Sequence, residues 1–248
     1  YNSADRLESE INITRVKPKH ILDGKISLYS SLRNEDASGI EPQVLPELYW
    51  RNYGTFKKYS ISYGLESSIL NLVRPEGRDV FRVSSKVDLQ RQFKFSNGIK
   101  ANNTFSIRGS AYKIQDDSSY SNQNVFTMRP LVSTDITLPL VYQSSSLRNI
   151  IIPRLQLIYS DTDNSKGIPN EDSLNVNFDE TNIFSFNRFP GIDFAETGLR
   201  LNVGADFQSN VSKSFGYTFS IGEIFRFKPS TQFSASSGID GYRSDIIF

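Results

Sequence analysis

The chain has no cysteine, one histidine, one tryptophan and one methionine among its 248 residues. Without cysteine it can form no disulfide, thiolate metal site or cysteine nucleophile of its own. The single histidine, His20, excludes a multi-histidine metal centre and leaves a histidine-based triad only one candidate. It sits in Lys17-Pro18-Lys19-His20, which the proline marks as a turn. Long apolar runs are missing too: Ile150–Ile152 and Ile246–Phe248 fall far short of the ~18 residues of a membrane-spanning helix. Neither sign of charge dominates, with 28 bases against 27 acids and a net +1, so no global field draws the chain onto nucleic acid. There is no Gly-x-Ser-x-Gly and no glycine-rich phosphate loop. No enzyme, cofactor or metal site is therefore expected.

What the chain does contain is alternation. Its 18 Phe and 12 Tyr, with many Val and Ile, give enough apolar surface to exclude disorder. From residue 80 to 95 the odd positions read Phe81, Val83, Ser85, Val87, Leu89, Arg91, Phe93 and Phe95. The even positions read Val80, Arg82, Ser84, Lys86, Asp88, Gln90, Gln92 and Lys94. Successive side chains of a strand point to opposite faces, so one face is apolar and the other polar. The split recurs at Leu199, Leu201, Val203, Ala205 and Phe207, at Phe215, Tyr217, Phe219 and Ile221, and at Tyr59, Ile61, Tyr63 and Leu65. The period predicts an all-β chain with strands near 5–17, 20–33, 41–52, 55–73, 78–96, 98–115, 124–142, 147–160, 196–211 and 213–228, and an interrupted strand from 231.

The connections alternate between tight turns, such as Arg74-Pro75-Glu76-Gly77 and Ser96-Asn97-Gly98, and long ones, above all 161–195. A soluble β-sandwich or barrel is one reading. Strands about three times the usual soluble length, aromatics near strand ends and deeply polar opposite faces favour the other: an antiparallel transmembrane β-barrel, present as an open segment of about ten to eleven strands. The odd positions of 81–89, 199–207 and 215–221 would then face lipid, so Leu201→Arg should be costly and Asn202→Arg mild. The chain begins at Tyr1 without a basic-then-apolar leader and stops at Asp245-Ile246-Ile247-Phe248 in strand-like sequence. It reads as an interior portion of a larger barrel, incomplete at both ends.

Three blocks carry a family resemblance. The first joins Ile168-Pro169-Asn170-Glu171-Asp172-Ser173, Phe178-Asp179-Glu180-Thr181-Asn182-Ile183-Phe184-Ser185, Asn187-Arg188-Phe189-Pro190-Gly191-Ile192-Asp193 and Glu196-Thr197-Gly198-Leu199-Arg200. The second is Ser237-Gly238-Ile239-Asp240-Gly241-Tyr242-Arg243-Ser244-Asp245, and the third is Leu72 to Arg82. Together they resemble the lipopolysaccharide-assembly outer-membrane LptD family. The resemblance implies a translocon integral to the Gram-negative outer membrane, inserting lipopolysaccharide into the outer leaflet among outer-membrane lipids. It also implies periplasmic lipopolysaccharide-transport bridge proteins and a plug lipoprotein as partners. The family's N-terminal jellyroll has no counterpart in these residues. A passive porin or a soluble sandwich module remains the alternative.

Asp161-Thr162-Asp163-Asn164-Ser165-Lys166-Gly167 has a calcium-loop look, but Lys166 stands where such a loop requires glycine. Beyond it, Asn170, Glu171, Asp172, Asp179, Asn182, Arg188, Phe189, Pro190, Gly191, Asp193 and Glu196 mix charge with aromatics too densely for a free loop. Segment 161–195 is expected to fold into the barrel mouth or lumen, with Arg188 paired to Asp193, Glu196 or another loop carboxylate. The inward bases Arg82, Lys86, Lys94, Arg108 and Arg200 are candidates for guiding a phosphorylated sugar. Pairing with Asp88, Glu66 and Asp206 across strands is their alternative role.

Overall fold

A computed structural model of the chain describes residues 6–32, 41–115, 122–144, 147–160, 167–174, 177–210, 215–235 and 237–248. Eleven antiparallel strands form one sheet: β1 (Arg6–Lys17), β2 (His20–Ser31), β3 (Gln43–Phe56), β4 (Ile61–Val73), β5 (Asp79–Lys94), β6 (Lys100–Gln115), β7 (Gln123–Thr137), β8 (Leu140–Gln143), β9 (Arg148–Ser160), β10 (Gly198–Asn210) and β11 (Gly216–Arg226). Neighbours in sequence are neighbours in space throughout, except that β8 pairs only with β9. Among the described residues the sheet does not close, since β1 pairs with β2 alone and β11 with β10. One continuous sheet of strands up to 16 residues long displaces the sandwich reading.

Three boundaries differ from the pattern in the sequence, each for a local reason. The fourth strand starts at Ile61 because Lys57–Tyr59 forms a 3₁₀ turn, closed by Ser60 at φ +52°. The strand expected over 124–142 is broken where pairing passes from Thr137↔Arg154 to Leu140↔Ile151. By that register Leu138 faces Pro153, whose carbonyl accepts the Leu138 N–H at 3.2 Å, and Pro139 follows; neither proline has an N–H to donate. After β11, strand-like pairing resumes only at Phe225↔Arg243 and Gly222↔Ile247, so no strand begins at 231. Within β3, Pro46 likewise marks the register shift between Val44 and Glu47.

The two faces differ as the alternation requires. On β5, Phe81, Val83 and Val87 are exposed on one side, and Val80, Arg82 and Ser84 are buried on the other. Most exposed aromatics of the apolar face gather at its two margins, with Trp50 and Phe105 between: Phe56, Phe95, Tyr142 and Tyr217 by the short turns, and Phe81, Phe126, Tyr159 and Phe227 toward the other end. Val83, Val87, Val132, Ile136, Leu155 and Leu157 lie between them. Aromatic girdles around an aliphatic band are the surface of a bilayer-embedded barrel wall. On the polar face, burial is concentrated toward the long connections. Val44, Leu70, Leu72, Val80, Tyr112 and Ile114 form a cluster there that receives Ile168.

Candidate functional site: a loop clasped onto the polar face

The described part of the connection between β9 and β10, residues 167–174 and 177–197, lies over the polar face, anchored by two clusters of arginine and carboxylate. The first centres on Arg82 of β5. Its Nη1 is 2.7 Å from Asp172 Oδ2 and 2.7 Å from Asp193 Oδ1, and Tyr112 of β6 donates to the same Asp193 oxygen at 3.0 Å. The two aspartates also tie the loop to itself. Asp172 Oδ1 accepts the backbone N–H groups of Ile192 (2.9 Å) and Asp193 (3.1 Å), and Asp193 Oδ2 accepts those of Glu171 (2.7 Å) and Asp172 (3.2 Å). Gly191 sits between at φ +115°, where a Cβ would lie 2.5 Å from the Asp172 carbonyl oxygen. Only glycine fits that crossing. Although burial pushes the Asp172 carboxyl up, Arg82 and the two N–H donors hold it below the ordinary aspartate range. Asp193 moves the other way, because burial and the nearby Asp172 charge outweigh Arg82.

The second cluster surrounds Glu196, which is 1% exposed. Arg188 Nη1 donates to its Oε1 at 2.9 Å and its Oε2 at 2.6 Å, and Arg226 of β11 donates to Oε1. Arg200 of β10 brings its Nε to 3.4 Å from Oε1. Burial raises the Glu196 pKa, and the three arginines more than reverse it, leaving it below the usual glutamate value. The Arg188 pKa is lowered, mainly by burial, with Glu196 opposing and Arg226 adding to the shift. Three guanidinium groups share one carboxylate, so two positive charges are in surplus. Arg188 Nε and Arg200 Nε and Nη1 have no hydrogen-bond partner among the described residues. Arg188 Nη2 and Arg200 Nη2 donate to the carbonyls of Ile183 and Phe186, both at 2.7 Å.

Further contacts complete the attachment. Arg74 and Arg78, flanking the β4–β5 turn, hold Glu171 at 2.8 and 2.9 Å. Arg129 of β7 donates to the carbonyls of Ile192 and Asp193. Asn187 Oδ1 accepts from Phe189 N and Glu196 N, and Asn170 and Ser173 bond reciprocally. Asp179 and Asn182 build a local turn, Asp179 accepting from Thr181 and Asn182 donating to Asn177. The carbonyl of Pro190, itself exposed, accepts from Leu174 N. Phe189 stacks on Phe233 at 4.9 Å between centroids, in a cluster with Ile224 and Ile239, so the segment after β11 folds together with the loop. Phe184 lies under the Arg154 guanidinium at 4.1 Å, while Arg154 pairs with Asp135.

The inward bases fall into three places. Arg82 and Arg200 are 3% and 0% exposed beneath the loop, so they serve its attachment and are shielded from any passing substrate while it is docked. Two of the five bases expected as candidates for guiding a phosphorylated sugar are thus engaged by loop carboxylates in this structure. Asn202 is also 0% exposed and donates to Gln156, so Asn202→Arg cannot be mild as the alternation alone suggested. Lys86 and Arg108, with Arg129, Thr104, Phe186 and Phe194, line a cavity of about 250 Å³ between loop and sheet. Lys86 pairs with Asp88 at 2.9 Å and Arg108 with Glu66 at 3.1 Å, whereas Asp206 accepts from Ser220 and pairs with none of the five. Lys94 stands apart, among Ser62, Gln90, Gln92 and Asn102 toward the short turns. His20 opens β2 opposite Lys17, and residues 161–166 of the calcium-like stretch lie outside the described residues.

Arg226, Arg129, Arg74 and Arg78 were not singled out from the sequence. Arg226 was findable: in register it is the cross-strand partner of Arg200, and two inward arginines side by side demand a shared carboxylate. No curated protein matches the chain. The profile of the LptD family, described as LPS transport system D, matches residues 1–248. With the single antiparallel sheet, its apolar outer face and the blocks around Arg188 and Asp240, that match across the whole length places the chain in the LptD family of outer-membrane lipopolysaccharide-transport proteins.

Proposed function

We propose that this chain is part of the wall of an outer-membrane translocon that passes lipopolysaccharide and inserts it into the outer leaflet. The observation that carries the reading is the clasped loop. A membrane-length sheet with an apolar outer face has its polar face roofed at the long-connection end by a segment held on buried arginine–carboxylate clusters. In a closed barrel that polar face is the lumen and segment 161–195 its internal plug. Lys86 and Arg108, beside the cavity under the loop, and Lys94, nearer the short turns, are the bases left to meet phosphorylated sugars. The protein performs no bond chemistry, and the energy comes from elsewhere in the pathway. Its partners are the periplasmic bridge proteins, a plug lipoprotein and the surrounding lipids.

Depleting the full-length protein should strip lipopolysaccharide from the cell surface, whereas losing a passive porin would leave it in place. A photo-crosslinking amino acid at Lys86 or Lys94 should capture lipopolysaccharide only while transport is energised. Absence of adducts at both positions, with surface lipopolysaccharide unchanged on depletion, overturns the reading.

A further inference from the structure

The surplus charge around Glu196 has an outlet. A second cavity, of about 480 Å³, opens at the long-connection ends of β9, β10 and β11 beneath residues 227–232. Arg226, one of the three arginines on Glu196, forms part of its lining, as does Lys228. Lys228 is exposed and has no ion-pair partner among the described residues. Thr197 and Thr231 supply hydroxyl groups. Ser160, Ser230 and Gln232 add further polar lining, and the apolar side is formed by Tyr159, Leu199 and Phe227, with Tyr159 and Phe227 at 51% and 60% exposure on the outward side. The cavity thus straddles the rim, with its apolar side continuous with the outer face and its cationic side backed by two unneutralised guanidinium charges.

We propose that this rim cavity binds the phosphate of a lipid headgroup in the outer leaflet. Lys228 is the direct contact, and the Arg188–Arg200–Arg226 group supplies the field. The assignment rests on the reading that the aromatic-bounded face meets lipid and that the long connections face outward. Charge complementarity selects an anion, because three arginines share the single carboxylate of Glu196 and Lys228 adds a further cation in the same lining as Arg226. The apolar wall selects an anion that carries acyl chains, since free phosphate gains nothing from Tyr159, Leu199 and Phe227. A phosphate at that height lies level with the upper aromatic girdle, where headgroups of the outer leaflet sit.

The test uses the full-length protein purified in non-ionic detergent, with bisphosphorylated lipid A, dephosphorylated lipid A and inorganic phosphate as probes, read by native mass spectrometry. Lys228→Glu should weaken binding of the bisphosphorylated lipid roughly tenfold, the loss of one charge-assisted contact. Heat-modifiable migration of the variant should stay unchanged, and Lys228→Arg should retain binding. Dephosphorylated lipid should bind wild type and Lys228→Glu alike. Equal binding of bisphosphorylated lipid by wild type and Lys228→Glu overturns the proposal. So does free phosphate competing as well as the lipid, which would mean an anion site without lipid selectivity. A fluorescent amino acid at Leu157, mid-wall on the outward face, checks the underlying reading separately in bilayers of brominated lipid. Quenching there with no effect of Lys228→Glu discards the rim site alone; no quenching discards the orientation as well.

Discussion

Glu196 should matter more than Arg188, although the two form one ion pair. Removing Arg188 leaves Glu196 with Arg200 and Arg226 and lowers the surplus positive charge by one. What is lost are the hydrogen bonds to the two Glu196 oxygens and to the Ile183 carbonyl, with some packing, about 1–3 kcal/mol because Glu196 keeps two guanidinium partners. Removing the Glu196 charge instead leaves three buried guanidinium groups with no counter-ion, about 3–5 kcal/mol on the scale of a broken buried pair. Glu196→Gln should therefore abolish loop docking and reduce assembly of heat-modifiable barrel, with a rise in permeability to bulky hydrophobic antibiotics. Arg188→Ala should do the same in weaker form, and Lys86→Ala should assemble normally; equal severity of the first two contradicts the shared-carboxylate account. The same cluster sets the response to acid. The docked-state pKa of Glu196 is below its ordinary 4.5, so its contribution is fully present above about that pH and is lost as pH falls through the lowered value. Asp172, also lowered, acts in the same direction. Asp193 is raised, so its contribution runs oppositely, present below the ordinary 3.8 and lost as pH rises. Hydrogen exchange of the loop amides should accordingly stay slow from neutral pH down to the carboxylate range and quicken below it, and Glu196→Gln should remove most of that step.

How closely the loop approaches the sheet is decided by two glycines on neighbouring strands, Gly204 of β10 and Gly222 of β11, which face each other in register. A Cβ on Gly222 would lie 3.0 Å from two carbons of Ile183, and one on Gly204 would lie 3.0 Å from Phe184 and 2.5 Å from the Ile221 carbonyl. Gly222→Val should thus push Ile183 out and release the loop, so that trypsin reaches Arg188, now 1% exposed. Adding Ile183→Ala should restore part of the protection by making room; a double variant as labile as the single one would place the damage in the strand itself. Neither glycine was legible as a contact site, because glycine at a polar position only weakens an alternation without saying what approaches it. The strands themselves were legible, since period two over 16 residues leaves no competing pattern. The breaks at Leu138–Pro139 and at Lys57–Tyr59 were less so: one depends on which neighbour Pro153 faces, and the other replaces a turn expected near residue 54 by a 3₁₀ turn ending at a left-handed serine. Arg188 belonged visibly to a buried pair by composition. Which carboxylate it takes depended on Arg200 and Arg226 arriving from adjacent strands, and that is long-range information.

At the scale of the molecule, the sheet has no means of satisfying its own edges. Among the described residues β1 bonds only to β2, and β11 meets residues beyond it through only two isolated bridges, Phe225↔Arg243 and Gly222↔Ile247. In water such an edge is solvated; in hydrocarbon each unpaired backbone group costs several kcal/mol, so a spanning sheet must close. The described part of the loop does not relieve this, because it covers the polar face and pairs with no residue of β1, where Ile11 and Ile13 are 69% and 74% exposed. The outward apolar face deepens the problem, since it drives the same 248 residues out of water. Expressed alone, they should therefore aggregate or fail to insert, and refolding into detergent should give no heat-resistant monomer. Supplying further strands that pair with β1 and continue from Arg243 should restore a heat-modifiable species, and protease should then spare Arg188 in it. The loop clusters cannot substitute for that closure: a variant that alters them mildly, such as Arg78→Lys, which keeps the charge beside Glu171, should leave the isolated chain as aggregation-prone as before. A monomeric, heat-resistant form of these 248 residues on their own would mean that edges are satisfied in a way the sheet does not reveal, and the open-wall reading would fall.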